Sequence, residues 1–172
     1  KIYFDPYIFF SLFLLSTLGL FFLFSASNAD VTIVSKQFVY VIAGFIIMIL
    51  VSQLDPDIFR RMSGLFLFFA LILLGITYLF GPEINGAQRW VRVGPFSFQS
   101  SELLKLAVPI FLANFLFDKK LPIQKKEITI SLLIIFSCFG FVFRQPDLGT
   151  GLIIACSGLI VLFLSGLSWS FI

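Results

Sequence analysis

The sequence predicts an all-α polytopic membrane protein with about six transmembrane helices and a cytoplasmic N-terminus. Of its 172 residues, 59% are hydrophobic and only 12% are charged, whereas soluble domains carry roughly 25% charged residues. The apolar residues are gathered into six runs that are separated by short polar connections. We expect a single transmembrane domain over residues 1–172, which forms the N-terminal part of a longer chain.

The six spans are predicted at residues 7–26, 38–54, 62–80, 103–117, 128–143 and 148–167. A helix needs about 20 apolar residues to cross the hydrocarbon layer. The first span is long enough, and because no signal-peptide cleavage site follows it, we expect a retained helix. The second span could begin near residue 31 if Lys36 extends its ammonium to the interface. The fourth and fifth are short, which predicts neighbouring loops that dip into a sheltered cavity.

The distribution of lysine and arginine orients these helices. Residues 118–127, between the fourth and fifth spans, contain four lysines, which is typical of a cytoplasmic loop. Arg60 and Arg61 lie in a loop on the same side, whereas the first loop, residues 27–35, has neither residue type. The third loop, the start of the fourth span and the turn at residues 144–150 therefore face the extracytoplasmic side.

Composition also excludes several classes of function. No basic stripe lies on a soluble surface, so we expect no nucleic-acid partner. The chain contains no histidine, which excludes histidine acid–base catalysis and histidine metal ligands within this stretch. Cys138 and Cys156 each lie in an apolar run and are interpreted as packing residues.

Three polar groups stand out, at residues 85–96, 99–105 and 144–150. Four cations on the extracytoplasmic side belong to them, namely Arg89, Arg92, Lys105 and Arg144. Cations kept at such positions usually bind something, and the planar fork of arginine suits a phosphate or diphosphate. We expect these cations to share one cavity. The alternative for the first group is an interfacial anchor, in which Trp90 lies at the membrane surface and the arginines bind lipid phosphates.

The other two groups each lie at a predicted helix start. Glu102 and Lys105 are three residues apart, within pairing distance on a helix, and Ser100 or Ser101 is expected to cap that helix. A purely structural ion pair is the alternative for Glu102. In the third group, Pro146 ends one helix, Asp147 caps the next and Gly149 allows close backbone approach. Capping does not exclude contact between Asp147 and a ligand.

Together these groups resemble the SEDS family, the polytopic proteins of shape, elongation, division and sporulation. The similarity lies in three motifs in order: Asn85-Gly86-Ala87-Gln88-Arg89-Trp90, Gln99-Ser100-Ser101-Glu102 with Lys105, and Gln145-Pro146-Asp147-Leu148-Gly149-Thr150. The last is more similar to the rod-shape branch (RodA) than to the division branch (FtsW). Ser100 departs from the family, which has proline there. The hydropathy of the whole chain resembles the first six of the family's ten helices.

The resemblance implies a peptidoglycan glycosyltransferase of the bacterial cytoplasmic (inner) membrane that polymerises lipid II for cell shape, elongation or division. It also implies a class B penicillin-binding protein, a transpeptidase, as partner. Magnesium or manganese is a candidate cofactor because developing diphosphate charge needs cations. The family's catalytic aspartate is expected beyond Ile172, so no catalytic residue is assigned and the stretch alone is expected to be inactive.

The candidate substrate-binding residues are Arg89, Trp90, Arg92, Glu102, Lys105, Arg144 and Asp147. The cations are expected to contact diphosphate or head group, Trp90 to stack on a sugar or position lipid, and Glu102 to hold Lys105. Two other functions remain open. A lipid II flippase would use the same cations without bond chemistry, and a non-catalytic scaffold would activate the transpeptidase through helix contacts. Membrane lipids are partners in every case.

Overall fold

The computed structural model describes residues 5–83, 86–94, 96–119, 121 and 123–166. It divides into two compact units, Lys1–Asp55 and Pro56–Ile172, and each is described by itself. The expectation of one domain therefore stays a prediction. The elements are α1 (Pro6–Ala26), α2 (Val31–Ser52), α3 (Pro56–Phe80), β1 (Trp90–Val93), β2 (Phe96–Gln99), α4 (Ser101–Phe117), α5 (Lys125–Phe143) and α6 (Leu148–Leu164).

The all-α polytopic class is confirmed, since each predicted span contains one helix. By length and composition, α1, α2, α3 and α5 are able to cross a membrane, and α6 is a shorter apolar helix. Several predicted boundaries are wrong. The third helix begins at Pro56 rather than near residue 62, so Arg60 and Arg61 lie on α3 and not in a loop. The fifth helix begins at Lys125 and reaches 19 residues, because lysine and glutamate are good helix formers although they are not apolar. The sixth ends at Leu164 after 17 residues, and residue 167 lies outside the described residues.

Over residues 5–55, the first unit is a pair of helices without a buried core. Asp5 caps α1 by accepting hydrogen bonds from the backbone of Tyr7 and Ile8, and Asp30 caps α2 through Thr32 N. α2 begins at Val31, so the earlier of the two predicted starts is correct and Lys36 lies inside the helix. Neither helix has a buried residue, and helices that are apolar all round are suited to lipid.

The second unit is built around α4, which packs against α3, α5 and α6. Its core includes Leu104 and Leu112 of α4, Ile135 of α5 and Ile154 of α6, all fully buried. Gly158 allows α6 to approach closely, because a Cβ there would lie 2.7 Å from Cγ1 of Ile135. This core packs α3, α4, α5 and α6 together. At one end of the unit, α3 and α5 end and α4 and α6 begin.

The connection between α3 and α4 folds into a β-hairpin, which the sequence interpretation missed. β1 and β2 pair antiparallel, with Trp90 opposite Gln99 and Arg92 opposite Ser97. Gly94, with φ +60°, lies in the turn between the strands. The predicted turn at residues 85–86 is supported by Gly86, with φ +74°, whereas Asn85 lies outside the described residues. The hairpin gives the first polar group a fixed shape.

Candidate functional site

Arg89 ties the segment before the hairpin to the turn between α5 and α6. Its Nε donates to the backbone oxygen of Gln145 at 2.7 Å, and its Nη2 donates to that of Pro146 at 2.6 Å. Because the donor is charged, such hydrogen bonds are stronger than neutral ones. Two of the five N–H groups of Arg89 thus hold the protein's own backbone.

Gln99 makes a second tie between the hairpin and the same turn. Its Nε2 donates to Oδ2 of Asp147 at 2.5 Å and to Oγ of Ser101 at 3.0 Å. The other carboxylate oxygen of Asp147, Oδ1, accepts from the backbone N–H of Thr150 at 3.1 Å. The prediction that Asp147 caps α6 is therefore confirmed, and the same carboxylate also anchors β2.

The predicted serine cap of α4 is wrong. Ser100 occupies the cap position, but its side chain makes no capping hydrogen bond. Its backbone is helical, with φ −62° and ψ −33°, whereas a capping side chain needs an extended backbone. The hydroxyl of Ser100 is buried without a hydrogen-bond partner among the described residues, and the hydroxyl of Ser101 accepts from Gln99 instead.

The expectation of close packing at Gly149 is also wrong, because a Cβ built there would meet nothing within 4 Å. The close approach occurs at Gly151, where a Cβ would lie 3.2 Å from the ring of Phe139. The difference arises because Gly151, two residues further along α6, is the buried one of the two glycines.

The ion pair predicted at the start of α4 is confirmed. Nζ of Lys105 lies 2.7 Å from Oε2 of Glu102, and the side chains are 26% and 45% exposed. An ion pair with this exposure contributes little to folding, typically about 0–1 kcal/mol. Lys105 therefore keeps two N–H donors and a partial opening towards its surroundings.

Two adjoining cavities lie at the same end of the second unit. The larger, which we call the α3–α5 groove, has a volume of about 440 Å³ and continues to Arg144 and Gln145. Its apolar lining comes from Leu71, Leu74, Gly75, Tyr78, Leu79 and Phe141. The smaller, which we call the polar cavity, measures about 240 Å³ and includes Glu83, Gln88 and Pro146 in its lining. Tyr78, Arg144 and Gln145 line both.

Arg144 and Gln145 present unused donors at the junction of these cavities. Arg144 is exposed, and its side chain has no hydrogen bond or ion pair within the part of the chain that the structure describes. Gln145 is only 3% exposed, and its Nε2 is buried with no partner. Leaving a buried N–H unpaired costs about 1–3 kcal/mol. Nε2 of Gln145 therefore meets no acceptor within the part of the chain that the structure describes.

The remaining candidates are placed less centrally. Arg92 is exposed on β1, and Trp90 is half-buried on the same strand. Of the four cations expected to share a cavity, Arg144 lines both cavities, whereas Arg89, Arg92 and Lys105 line neither. Gln99 and Gln145 were missed as site residues, although a glutamine in so apolar a chain is itself a signal that a polar partner is near.

The described residues do not make a metal site by themselves. Among them, no group of three or more histidine, cysteine, aspartate or glutamate residues is placed to hold an ion. Both carboxylate oxygens of Asp147 already accept hydrogen bonds, Oδ2 from Gln99 and Oδ1 from Thr150.

The apolar helices define a multi-pass membrane protein, and its second unit has two cavities beside polar residues at one end. Residues 5–172 match the family FTSW_RODA_SPOVE, described as cell cycle protein, and the chain belongs to this family. The predicted resemblance is confirmed.

Curated relatives agree with this assignment. The chain is 36% identical over 172 residues to the peptidoglycan glycosyltransferase MrdB of Escherichia coli K12, which covers 100% of this chain and 46% of MrdB. It is 34% identical over 166 residues to stage V sporulation protein E of Bacillus subtilis, covering 89% of this chain and 45% of the relative. The chain thus spans about half the length of the curated relatives it matches.

Solved structures share the fold. The chain matches the rod shape determining protein RodA of Thermus thermophilus with a TM-score of 0.88 at 28% identity, covering 98% of this chain and 56% of that one. It also matches a chain from a structure of a peptidoglycan synthase complex that coordinates polymerization and crosslinking. That TM-score is 0.90 at 27% identity, over 100% of this chain and 51% of the other.

Proposed function

We propose that this chain is part of a peptidoglycan glycosyltransferase that polymerises lipid II at the outer face of the bacterial cytoplasmic membrane. Two kinds of support exist. The family includes relatives whose names state this activity. In addition, the described residues place an unpaired N–H donor of Gln145 beside an apolar groove. Because the chain spans about half of its relatives, the activity is proposed for the whole protein.

The observation that carries the proposal is the junction at Arg144 and Gln145. A lipid-linked diphosphate needs cationic and N–H donors next to a hydrocarbon environment, and both occur here. Because a polymerisation step releases polyprenyl diphosphate, donors that bind the developing charge would lower its barrier. Arg144 is therefore assigned to the diphosphate.

The other candidates take supporting roles in this proposal. Arg89 holds the hairpin against the α5–α6 turn and directs its remaining N–H groups to the substrate. Arg92 and Trp90 contact the head group from β1, and Lys105, oriented by Glu102, adds a cation at the start of α4. Asp147 shapes the site by fixing Gln99.

A class B penicillin-binding protein is the proposed partner. Support comes from the matched structure, which is that of a peptidoglycan synthase complex that coordinates polymerization and crosslinking. In such an assembly the glycan strand made by one protein becomes the substrate of the transpeptidase.

The test uses the full-length protein purified in detergent and supplied with purified lipid II. We expect glycan strands from the wild type, and a loss of roughly tenfold or more for Arg144→Met, in line with removal of a charge-assisted contact. Lys119→Met is the matched control, because Lys119 follows the opposite end of α4. Its Nζ lies 5.2 Å from the ring centroid of Phe115.

Two results would contradict the proposal. Translocation of labelled lipid II across vesicles without any polymer would indicate a flippase. Polymer that appears only when a partner polymerase is added, with Arg144→Met fully competent, would indicate a scaffold.

A further inference from the structure

The hairpin formed by β1 and β2 has two faces of different chemistry. Residues that lie directly opposite each other in an antiparallel pair project to the same face, and successive residues along a strand alternate between faces. The register pairs Trp90 with Gln99 and Val91 with Phe98. Trp90 and Gln99 therefore share one face, and Val91 and Phe98 share the opposite face.

A hydrogen bond at the base of the hairpin decides which face is turned towards the helices. Nε2 of Gln99 donates to Oδ2 of Asp147, so the face that Gln99 shares with Trp90 is turned towards the α5–α6 turn. The face that carries Val91 and Phe98 is therefore turned away from that turn. We call it the apolar face of the hairpin.

The apolar face is only partly covered by protein. Phe98 is 41% exposed, and Val91 is half-buried. Leaving such side chains in water is unfavourable, because each Å² of apolar surface that is removed from water contributes about 25 cal/mol. The apolar face therefore favours a neighbour that is itself apolar.

The hairpin begins beside the lipid-exposed end of α3. Leu79 and Phe80, the last two residues of α3, are 67% and 80% exposed, as suits a helix surface that contacts lipid. A Cβ built at Gly81 would lie 3.2 Å from the backbone oxygen of Trp90. The start of β1 thus lies against the point where the apolar surface of α3 ends.

The length of α4 sets the depth of the hairpin in the membrane. α4 has 17 residues and spans about 26 Å at the usual rise, whereas the hydrocarbon layer is about 30 Å thick. The charged residues Asp118 and Lys119 follow one end of α4 directly and place that end at the water boundary. The other end, at Ser101, therefore lies at or just inside the opposite boundary, and β2 ends at Gln99.

We infer that the β1–β2 hairpin is a membrane-contact element, with its apolar face resting on the outer leaflet of the lipid bilayer and its other face turned towards the site. Amphipathic segments bind in the plane of the interface with their apolar side chains roughly 5–10 Å into the boundary between head groups and acyl chains. The strands pair with each other, and head groups and water supply partners for the outer edges. The partner is the lipid surface itself, and the inference does not require any enzymatic activity.

Site-directed spin labelling of the full-length protein tests this placement. All native cysteines, among them Cys138 and Cys156, are replaced by alanine, and one nitroxide is attached at Phe98→Cys. Ser97→Cys is the matched control, because Ser97 is the neighbouring residue on β2 and its pairing with Arg92 places it on the opposite face. The protein is reconstituted in bilayers of phosphatidylethanolamine and phosphatidylglycerol. The accessibility of each label to oxygen and to a water-soluble nickel chelate is then measured.

We expect the ratio of oxygen accessibility to nickel accessibility to be several-fold higher at position 98 than at position 97. The reason is that apolar oxygen concentrates among the acyl chains, whereas the hydrated chelate is excluded from them. Val91→Cys and Arg92→Cys repeat the comparison on β1, and the higher ratio is expected at position 91. The two pairs are independent, so a label that disturbs one strand leaves the other comparison intact.

Three outcomes would overturn the inference. Equal nickel accessibility on the two faces would place both of them in water. Low accessibility of positions 91 and 98 to both reagents, in bilayers that contain only this protein, would show that protein covers the apolar face. Protection from nickel that appears only after a class B penicillin-binding protein is added would identify a docking surface for that partner. None of these measurements involves polymerisation of lipid II, so the proposed function is tested separately.

Discussion

The two sides of the α5–α6 turn differ in how their polar groups are satisfied. On the hairpin side, the backbone oxygens of Gln145 and Pro146 accept from Arg89, and Asp147 accepts from Gln99 and Thr150. On the cavity side, the Arg144 side chain and Nε2 of Gln145 have no partner among the described residues. We call the side of the turn whose polar groups are paired the closed side, and the side whose donors are unpaired among the described residues the open side.

The difference separates residues that stabilise the folded structure from residues that are available to bind a ligand. Hydrogen bonds that are already made stabilise a geometry and leave little for a ligand, whereas unmade ones cost stability until an acceptor arrives. Cations chosen from sequence as one set therefore fall into two classes. Substitutions on the closed side should change stability, and those on the open side should change ligand affinity.

Arg144→Met should give the largest effect, a loss of roughly 10- to 100-fold in affinity for polyprenyl diphosphate, since a hydrogen bond to a charged group contributes about 1.5–3 kcal/mol. The thermal midpoint should stay at the wild-type value. Arg144→Lys keeps the charge without the planar fork and should recover part of the affinity. Direct titration of the full-length protein measures this, and unchanged affinity would place Arg144 outside the site.

Arg89→Met should lower the free energy of unfolding by about 2 kcal/mol, because two backbone oxygens lose a charged donor. Thermal unfolding in detergent measures the change. Arg92→Met is the stability control, since Arg92 is exposed on the hairpin and should shift the midpoint little. Equal midpoints for the two variants would show that the closed side does not hold the turn.

Asp147→Ala should cost about 1 kcal/mol, the usual value for loss of an N-cap, and should also free Gln99. Asp147→Asn keeps an oxygen that can accept from Thr150 N and should lose less. Hydrogen exchange at the first turn of α6 reports on this cap. Wild-type protection in Asp147→Ala would contradict the role assigned to the carboxylate.

Lys105→Ala should have the smallest effect on stability, below about 0.5 kcal/mol, because its partner Glu102 is 45% exposed. Polymerisation activity then distinguishes a substrate-binding role of Lys105 from a purely structural ion pair with Glu102. A large fall in turnover with an intact thermal midpoint would assign Lys105 to the substrate. Full turnover would leave it a structural pair with Glu102.

Local sequence signals predicted some parts of the site well. The i, i+3 spacing of Glu102 and Lys105 predicts the ion pair that the structure contains. Likewise, the position of Asp147 directly after Pro146 predicts the observed N-cap of α6. The hairpin was missed although Val91-Arg92-Val93 alternates in polarity ahead of Gly94. The segment was interpreted as an interfacial stretch rather than by its period of two.

By itself, the sequence determined the membrane class, the order of six helices and the family, because hydropathy over about 20 residues and short motifs are local properties. Only the tertiary structure decided which polar side chains meet. Arg89 and Gln145 are 56 residues apart in the chain, yet they are joined by a hydrogen bond. Packing of α4 against α3, α5 and α6 brings these segments together, and a contact of that kind leaves no periodic trace in the sequence.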